Sequence, residues 1–442
     1  MKKYLLTIWV LLITGMLSFT HAQWTTENLS SARYALAAAS SGNVAIFAGG
    51  IGMISIPPPS ADLYFYGTNS WGPSSISQGR TYLAGASAGG KILFGGGAND
   101  WILSVYDRVD VYNATTSGWL PFTNLSVARS HLAAASSGNK IVFGGGQNSA
   151  SGTVYNTVDI YDAVTGTWTT SQLSVARHSL CAASAANKII FAGGSNAAGT
   201  PVNTVDIYDA VTNTWSTATL SEARTNLTAT SLGGKIYIGG GSTISAVSNR
   251  VDIYDVVTNT WSIDSLSVGR EKFSAAASGN LVMFGGGSDL NGSNASDVVD
   301  ILDTTTGTWS TAALSVRRFA LAATSINNRI IFGGGATQAG VSDVVDMYQL
   351  LTSSVETISL NDFVMYPNPA STAITIENII NVNDAINIEI FTVDGKMVKS
   401  LLLKQGTAST KINISEMEDG IYFYKIMSAG SILKSGKFVV NN

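Results

Sequence analysis

The side chains in this sequence that could do chemistry are either sparse or repeated many times over. There is one cysteine, Cys181, and there are three histidines, of which His21 falls in an apolar N-terminal leader and His131 and His178 remain. Zinc and copper sites are built from three or four imidazole, thiolate or carboxylate ligands. The two histidines stand at different offsets from Arg129 and Arg177, and no further ligand is spaced with them. Cys181, between Leu180 and Ala182, reads as filler in a strand of small residues. Asp289, Asn291, Ser293 and Asp297 alternate oxygen ligands as a calcium loop does, but the glycine such a loop needs after its fifth position is missing. The sequence therefore implies no cofactor and no metal, with that loop as the single calcium candidate.

Carboxylates and guanidiniums are the repeated groups. Asp62, Asp110, Asp159, Asp206, Asp252, Asp300 and Asp346 occupy one recurring position, and Arg33, Arg80, Arg129, Arg177, Arg224, Arg270 and Arg318 another. Seven equivalent copies offer no single reacting centre, so both sets are expected to hold repeats together. Function is expected where the copies disagree. Just after the repeated arginine come Tyr34, Thr81-Tyr82, Ser130-His131, His178, Thr225-Asn226, Glu271-Lys272 and Phe319. Trp101, outside the repeated tryptophan positions, offers a ring that could stack on a sugar or anchor a partner. The candidate ligand-binding residues are thus Tyr34, Tyr82, Trp101, His131, His178, Asn226, Glu271, Lys272 and Phe319.

The elements that must carry these residues follow from the repeat. Diglycines fall at Gly49-Gly50, Gly95-Gly96, Gly144-Gly145, Gly193-Gly194, Gly239-Gly240, Gly285-Gly286 and Gly333-Gly334. The tryptophans at 24, 71, 119, 168, 215, 261 and 309 are spaced 46 to 49 residues apart. Each unit reads as four short strands, because β-branched and aromatic residues alternate between Gly-, Asn-, Ser- and Thr-rich turns. In the third unit the strands are expected over 131–136, 140–143, 157–161 and 167–170. The first is built of small residues, which suits strands converging on an axis; the diglycine permits positive φ and close backbone approach.

Diglycine, spaced Tyr, Trp and an Arg opening the next unit together resemble the Kelch-repeat family over residues 23–350, with Leu302 replacing the third-strand Tyr in one unit. The resemblance implies an all-β fold, a seven-bladed β-propeller of four-stranded blades. It also implies that the segment after the arginine borders the mouth of a central channel. Trp24 precedes the first diglycine and no Trp follows Tyr348, so the N-terminal strand is expected to complete the last blade and leave no open edge. Kelch-like copper oxidases use Tyr and His ligands with a Cys-linked Tyr, for which Cys181 is badly placed. Sialidase propellers carry an Asp-x-Gly-x-Thr-Trp box, which the stretch from Asp162 to Trp168 does not reproduce.

Two flanking segments speak to location. Residues 1–22 carry Lys2 and Lys3, an apolar run of 16 residues from Tyr4 to Phe19, and Thr20-His21-Ala22, a secretory signal with cleavage before Gln23. The run is shorter than the roughly 20 residues that span a bilayer, so no membrane span is expected after cleavage. Loss of the two lysines takes the formal charge from -4 to -6. After a linker at 351–362, residues 363–442 alternate with period two, which argues a small C-terminal β-sandwich. Tyr366-Pro367-Asn368-Pro369, the Asp394-Gly395-Lys396 turn, Asp419-Gly420-Ile421-Tyr422 and Lys437-Phe438-Val439-Val440 resemble the type IX secretion system C-terminal sorting domain. That resemblance implies engagement of the type IX machinery through this tail and release or tethering at the outer cell surface.

With 45% apolar residues the chain can bury a large core, and with 12% charged residues in no acidic or basic block it offers nothing to nucleic acid. The expectation is a secreted or cell-surface binding protein whose varied face meets an extracellular protein or glycan. The competing class is an extracellular carbohydrate-active enzyme (a sugar oxidase, epimerase or hydrolase) with its site at the channel mouth. Convergence of acid, base or metal ligands at one place on that face separates the two.

Overall fold

The third repeat shows how residue types set the elements. Its strands are Ala133–Ser137, Lys140–Gly144, Thr157–Asp162 and Trp168–Gln172, paired antiparallel in chain order. The first begins at Ala133 rather than at His131, because His131 takes a φ of 55°, a left-handed conformation that cannot continue a strand. The computed structural model describes residues 24–53, 56–99, 102–350, 363–378, 386–403, 409–428 and 431–441. The expected leader and linker, and Trp101, lie outside them. Two units separate at Leu351, Met1–Leu351 and Thr352–Asn442. Among the described residues there is no α-helix, and no helix is long and apolar enough to cross a membrane.

The first unit is a β-propeller of seven four-stranded sheets. In the last sheet Trp24–Asn28 pairs with Val344–Gln349, Trp24 facing Tyr348. The Trp24 ring lies 5.0 Å from Tyr348 and 6.4 Å from Phe332, the contacts that Trp168 makes with Tyr161 and Phe143 in the third blade. First strands of consecutive blades touch, the seventh against the first. Only small side chains fit there, and their hydroxyls join blades: Ser87 Oγ donates to the Ser40 carbonyl at 2.6 Å and Ser136 Oγ to that of Ser87 at 2.6 Å.

The glycines reveal a register that the sequence reading placed one residue early in five repeats. Where three glycines run together, the second and third are left-handed: Gly145 has φ 66° and Gly146 φ 107°. The Gly146 N–H donates to the Arg177 carbonyl of the next blade at 2.9 Å, and a Cβ on Gly145 would stand 2.5 Å from that oxygen. Gly144 is needed for another reason, since its Cβ would meet the Phe191 ring at 2.7 Å. The same inter-blade bond recurs from Gly50 to Arg80 through to Gly335 and Arg33, at 2.8–3.0 Å, closing a ring.

Each repeated arginine forms an ion pair with the repeated aspartate, six at 2.5–2.8 Å and the seventh between Arg224 and Asp252. All seven guanidiniums are at most 1% exposed. The aspartate's other oxygen accepts a backbone N–H from the inter-blade turn, as from Ser174 to Asp206 at 3.0 Å, so the pair fastens that turn to the third strand. Burial pushes the Arg177 pKa down and Asp206 pushes it back up. The arginines are thus sealed into the scaffold, each paired with its aspartate.

In the second unit, sheets Phe363–Tyr366, Ala373–Asn378, Ser409–Asn413 and Met397–Leu403, Ile386–Phe391, Gly420–Ser428, Ser431–Val440 share one core that includes Ile374, Ile388, Ile412, Tyr424 and Phe438. The two end motifs meet: the Val439 N–H donates to Asn368 Oδ1 and the Ala370 N–H to the Val439 carbonyl, both at 2.9 Å.

Candidate functional site

Two residues beyond each buried arginine the chain turns left-handed, once per blade. Ala35, Tyr82, His131, Ser179, Asn226, Lys272 and Ala320 have φ between 51° and 55°. Only Asn226 is of a type that enters this region readily; for the others it costs roughly 1–2 kcal/mol each. A second closed ring of backbone hydrogen bonds holds them there. The Tyr82 N–H donates to the Ala35 carbonyl, His131 to Tyr82, Ser179 to His131, Asn226 to Ser179, Lys272 to Asn226, Ala320 to Lys272 and Ala35 to Ala320, at 2.7–3.1 Å. Strained backbone persists only where the surroundings over-determine it, and such places cluster at ligand sites.

These seven residues ring a cavity of about 480 Å³. Of the residues expected from sequence, Tyr34, Tyr82, His131, Asn226, Lys272 and Phe319 line it. Tyr34 and Phe319 sit one position earlier than the rest, and they reach in where Ala35 and Ala320 leave room. Glu271 and His178 sit at that same earlier position and are not among the lining residues. Glu271 is 3% exposed, its backbone paired with Ser288. The lining also includes Ser179 and a repeated apolar ring formed by Leu36, Leu83, Leu132, Leu180, Leu227, Phe273 and Leu321. Sequence reasoning passed over both. The leucines carried a usable signal in their fixed offset, three residues after the arginine.

The cavity has two chemically distinct sides. On one, the Tyr82 and His131 rings stack at 3.9 Å, and His178 stands edge-on to His131 at 6.2 Å. His131 Nδ1 shares a hydrogen bond with Ser130 Oγ at 3.1 Å and His178 Nδ1 one with Ser179 Oγ at 3.0 Å. Burial, then His178 and Lys272, push the His131 pKa down to about 4, and burial lowers that of His178, so both rings are neutral at pH 7. On the other side the Glu271 carboxylate accepts from Asn226 Nδ2 at 3.1 Å and Ser242 Oγ at 2.6 Å, and pairs with Lys272 Nζ at 3.4 Å.

Among the described residues none of those lining the cavity is a carboxylate, Glu271 beside it is held by Asn226, Ser242 and Lys272, and no three His, Cys, Asp or Glu side chains gather as a metal site. At the calcium candidate, Asp289 is occupied by its own turn, Oδ1 accepting the Asn294 N–H at 2.8 Å and Oδ2 the Asn294 side-chain amide at 2.5 Å. Asp297 faces Arg317 at 3.4 Å.

Residues 130–311, the third to sixth blades, match the family model described as the KLHDC2/KLHL20/DRC7 Kelch-repeats domain. Residues 364–441 match the secretion system C-terminal sorting domain. A solved structure titled "Structure of YjhT" is 16% identical, with a TM-score of 0.50 over 62% of this chain and 96% of its own, a likeness that bears on fold alone. A search of curated proteins found no match.

Proposed function

From a chain that joins Kelch repeats to a type IX sorting domain, we propose a secreted or surface-presented binding propeller whose channel mouth, ringed by Tyr34, Tyr82, His131, Asn226, Lys272 and Phe319, takes an extracellular protein or glycan. One observation carries the reading: around a shared apolar ring, the cavity is lined by the left-handed positions at which the blades differ, while the shared arginines and aspartates are buried in ion pairs. Strain held by a closed backbone ring presents those side chains in fixed places, which favours recognition by lowering the ordering cost of binding. His178, edge-on to His131, and Glu271, which holds Asn226 and Lys272, belong to the same proposed face, and Trp101 is proposed as a further ligand contact.

In this reading residues 1–22 direct export through the inner membrane and residues 363–442 the step through the outer one. The test has two arms. Deleting residues 363–442 should leave a folded propeller in the periplasm and none outside the cell, and undiminished extracellular protein would remove the tail from the export step. The purified mature protein should bind a member of a glycan array or an extracellular protein panel, and Tyr82→Ala should abolish or weaken that binding. Binding indifferent to every mouth substitution would place function elsewhere.

A further inference from the structure

We infer that the mouth is a subsite for an uncharged saccharide, with Glu271 as the positioning residue that sets its polar half. This deepens the proposed binding function and rests on it. Six of the seven blades place Tyr, Thr, Ser, His, Thr or Phe at the residue after the arginine; the sixth places a carboxylate there and buries it. Burying a carboxylate is costly unless its oxygens are satisfied, and Glu271 is satisfied by the residues beside the cavity. Because Asn226 donates its amide N–H to Glu271, its Oδ1 is the atom left to accept from a ligand. Because Lys272 is held to Glu271 Oε1, its ammonium donates from a fixed place and its charge is locally balanced.

An acceptor next to a donor is what a pair of neighbouring sugar hydroxyls requires: one O–H donates to Asn226 Oδ1, and the other oxygen accepts from Lys272 Nζ. Across the cavity the Tyr82 and His131 rings offer the aromatic surface against which the C–H face of a pyranose packs. A cavity of about 480 Å³ falls in the range of small-ligand sites and accommodates one or two sugar rings. Neutrality follows from the balance of charge: the ammonium is paired and the imidazoles are uncharged at pH 7, so an acid sugar gains no free cation.

The experiment uses the mature full chain on an array of neutral oligosaccharides of glucose, galactose, mannose and N-acetylglucosamine beside their uronic-acid counterparts, followed by calorimetry on the hits. Wild type should bind neutral members in preference to acidic ones. Asn226→Ala and Tyr82→Ala should each weaken a neutral hit by about tenfold or more, with Val211→Ser, in an exposed turn between third and fourth strands, unchanged. Glu271→Gln should do something that a merely structural change would not: by freeing the Lys272 charge it should raise the ratio of acidic to neutral binding. If Glu271→Gln does not fold, Lys272→Gln, expected to lower that ratio further, carries the same test. A preference of wild type for acidic sugars, an array with no hit, or an unchanged ratio in these variants overturns the saccharide inference. In the first or second case, mouth-dependent binding of a protein would leave the broader reading standing, whereas indifference of all binding to Asn226→Ala and Tyr82→Ala would end both.

Discussion

Arg129 and His131 are two residues apart, and each position recurs seven times on nearly identical backbone, yet they have opposite fates. At the arginine the side chain is the same in every blade, buried, and paired with an aspartate. At the left-handed position the backbone is the same in every blade, held by its own hydrogen-bonded ring, while the side chain changes from Ala to Tyr, His, Ser, Asn and Lys. The comparison teaches that this fold repeats a scaffold in side chains at one position and in main chain at the next. A position fixed by its backbone can vary what it displays, because the ring's hydrogen bonds run through the main chain whichever side chain stands there.

The sharpest way to break the comparison is at the buried pair. Asp206→Ala leaves the Arg177 charge sealed without its partner and the Ser174 N–H without its acceptor. Removing one member of a buried ion pair costs about 3–5 kcal/mol, so chemical unfolding should show a loss of that order, with the melting temperature several degrees lower. Molecules that remain folded should keep wild-type affinity once a ligand is known. A large affinity loss with normal unfolding would reverse the division between scaffold and site.

Next in size is the ring of glycines. Gly145→Ala combines positive φ with a Cβ 2.5 Å from the Arg177 carbonyl, for roughly 2–4 kcal/mol. Gly152→Ala in the same blade has a φ of 71° but nothing within 4 Å, so only the conformational cost of about 1–2 kcal/mol remains. Equal unfolding free energies for the two variants would show that close approach between blades is not what selects glycine. Smaller again in its effect on the fold is Tyr82→Ala, which should cost about 1–3 kcal/mol of binding while the melting temperature stays close to wild type. Parallel losses in both would make Tyr82 scaffold.

Much of this was legible in the sequence, and what was not has a physical cause. Seven diglycines and seven tryptophans, the first of them (Trp24) standing before any diglycine, carried the propeller, because each repeat states its own strand pattern locally. The Arg and Asp sets read as structural for the same reason. The candidate site was half legible: variation picked out the stretch that borders the cavity, but one-residue differences in offset decide who lines it. Tyr34, His178, Glu271 and Phe319 all sit one position before the left-handed residue, yet of these four only Tyr34 and Phe319 line the cavity. Nothing in Tyr82, His131 or Lys272 announces a positive φ; that conformation is imposed by hydrogen bonds between residues some 47 apart, such as Tyr82 and Ala35.

The finest probe of the difference between the two positions is pH. His131 carries an ordinary pKa of 6.5 when unfolded and about 4 when folded, lowered by burial, by His178 and by Lys272. Between those values the unfolded chain binds a proton that the folded chain does not, so stability falls as pH drops. The contribution is complete above about pH 6.5, declines toward pH 4 and levels off below it, to a total on the order of 1–3 kcal/mol. His178, also lowered by burial, adds to the same slope. His131→Asn installs the residue that blade five uses at this position, one that tolerates left-handed backbone, and so removes the titration while keeping the geometry. Urea unfolding from pH 7.5 to 4.5 should then show a shallower decline for His131→Asn than for wild type, with Asp206→Ala following the wild-type slope from a lower start. Identical slopes in His131→Asn and wild type would mean that the imidazole is solvated in the folded state, and the mouth would then be wetter and more accommodating to charge than its geometry implies.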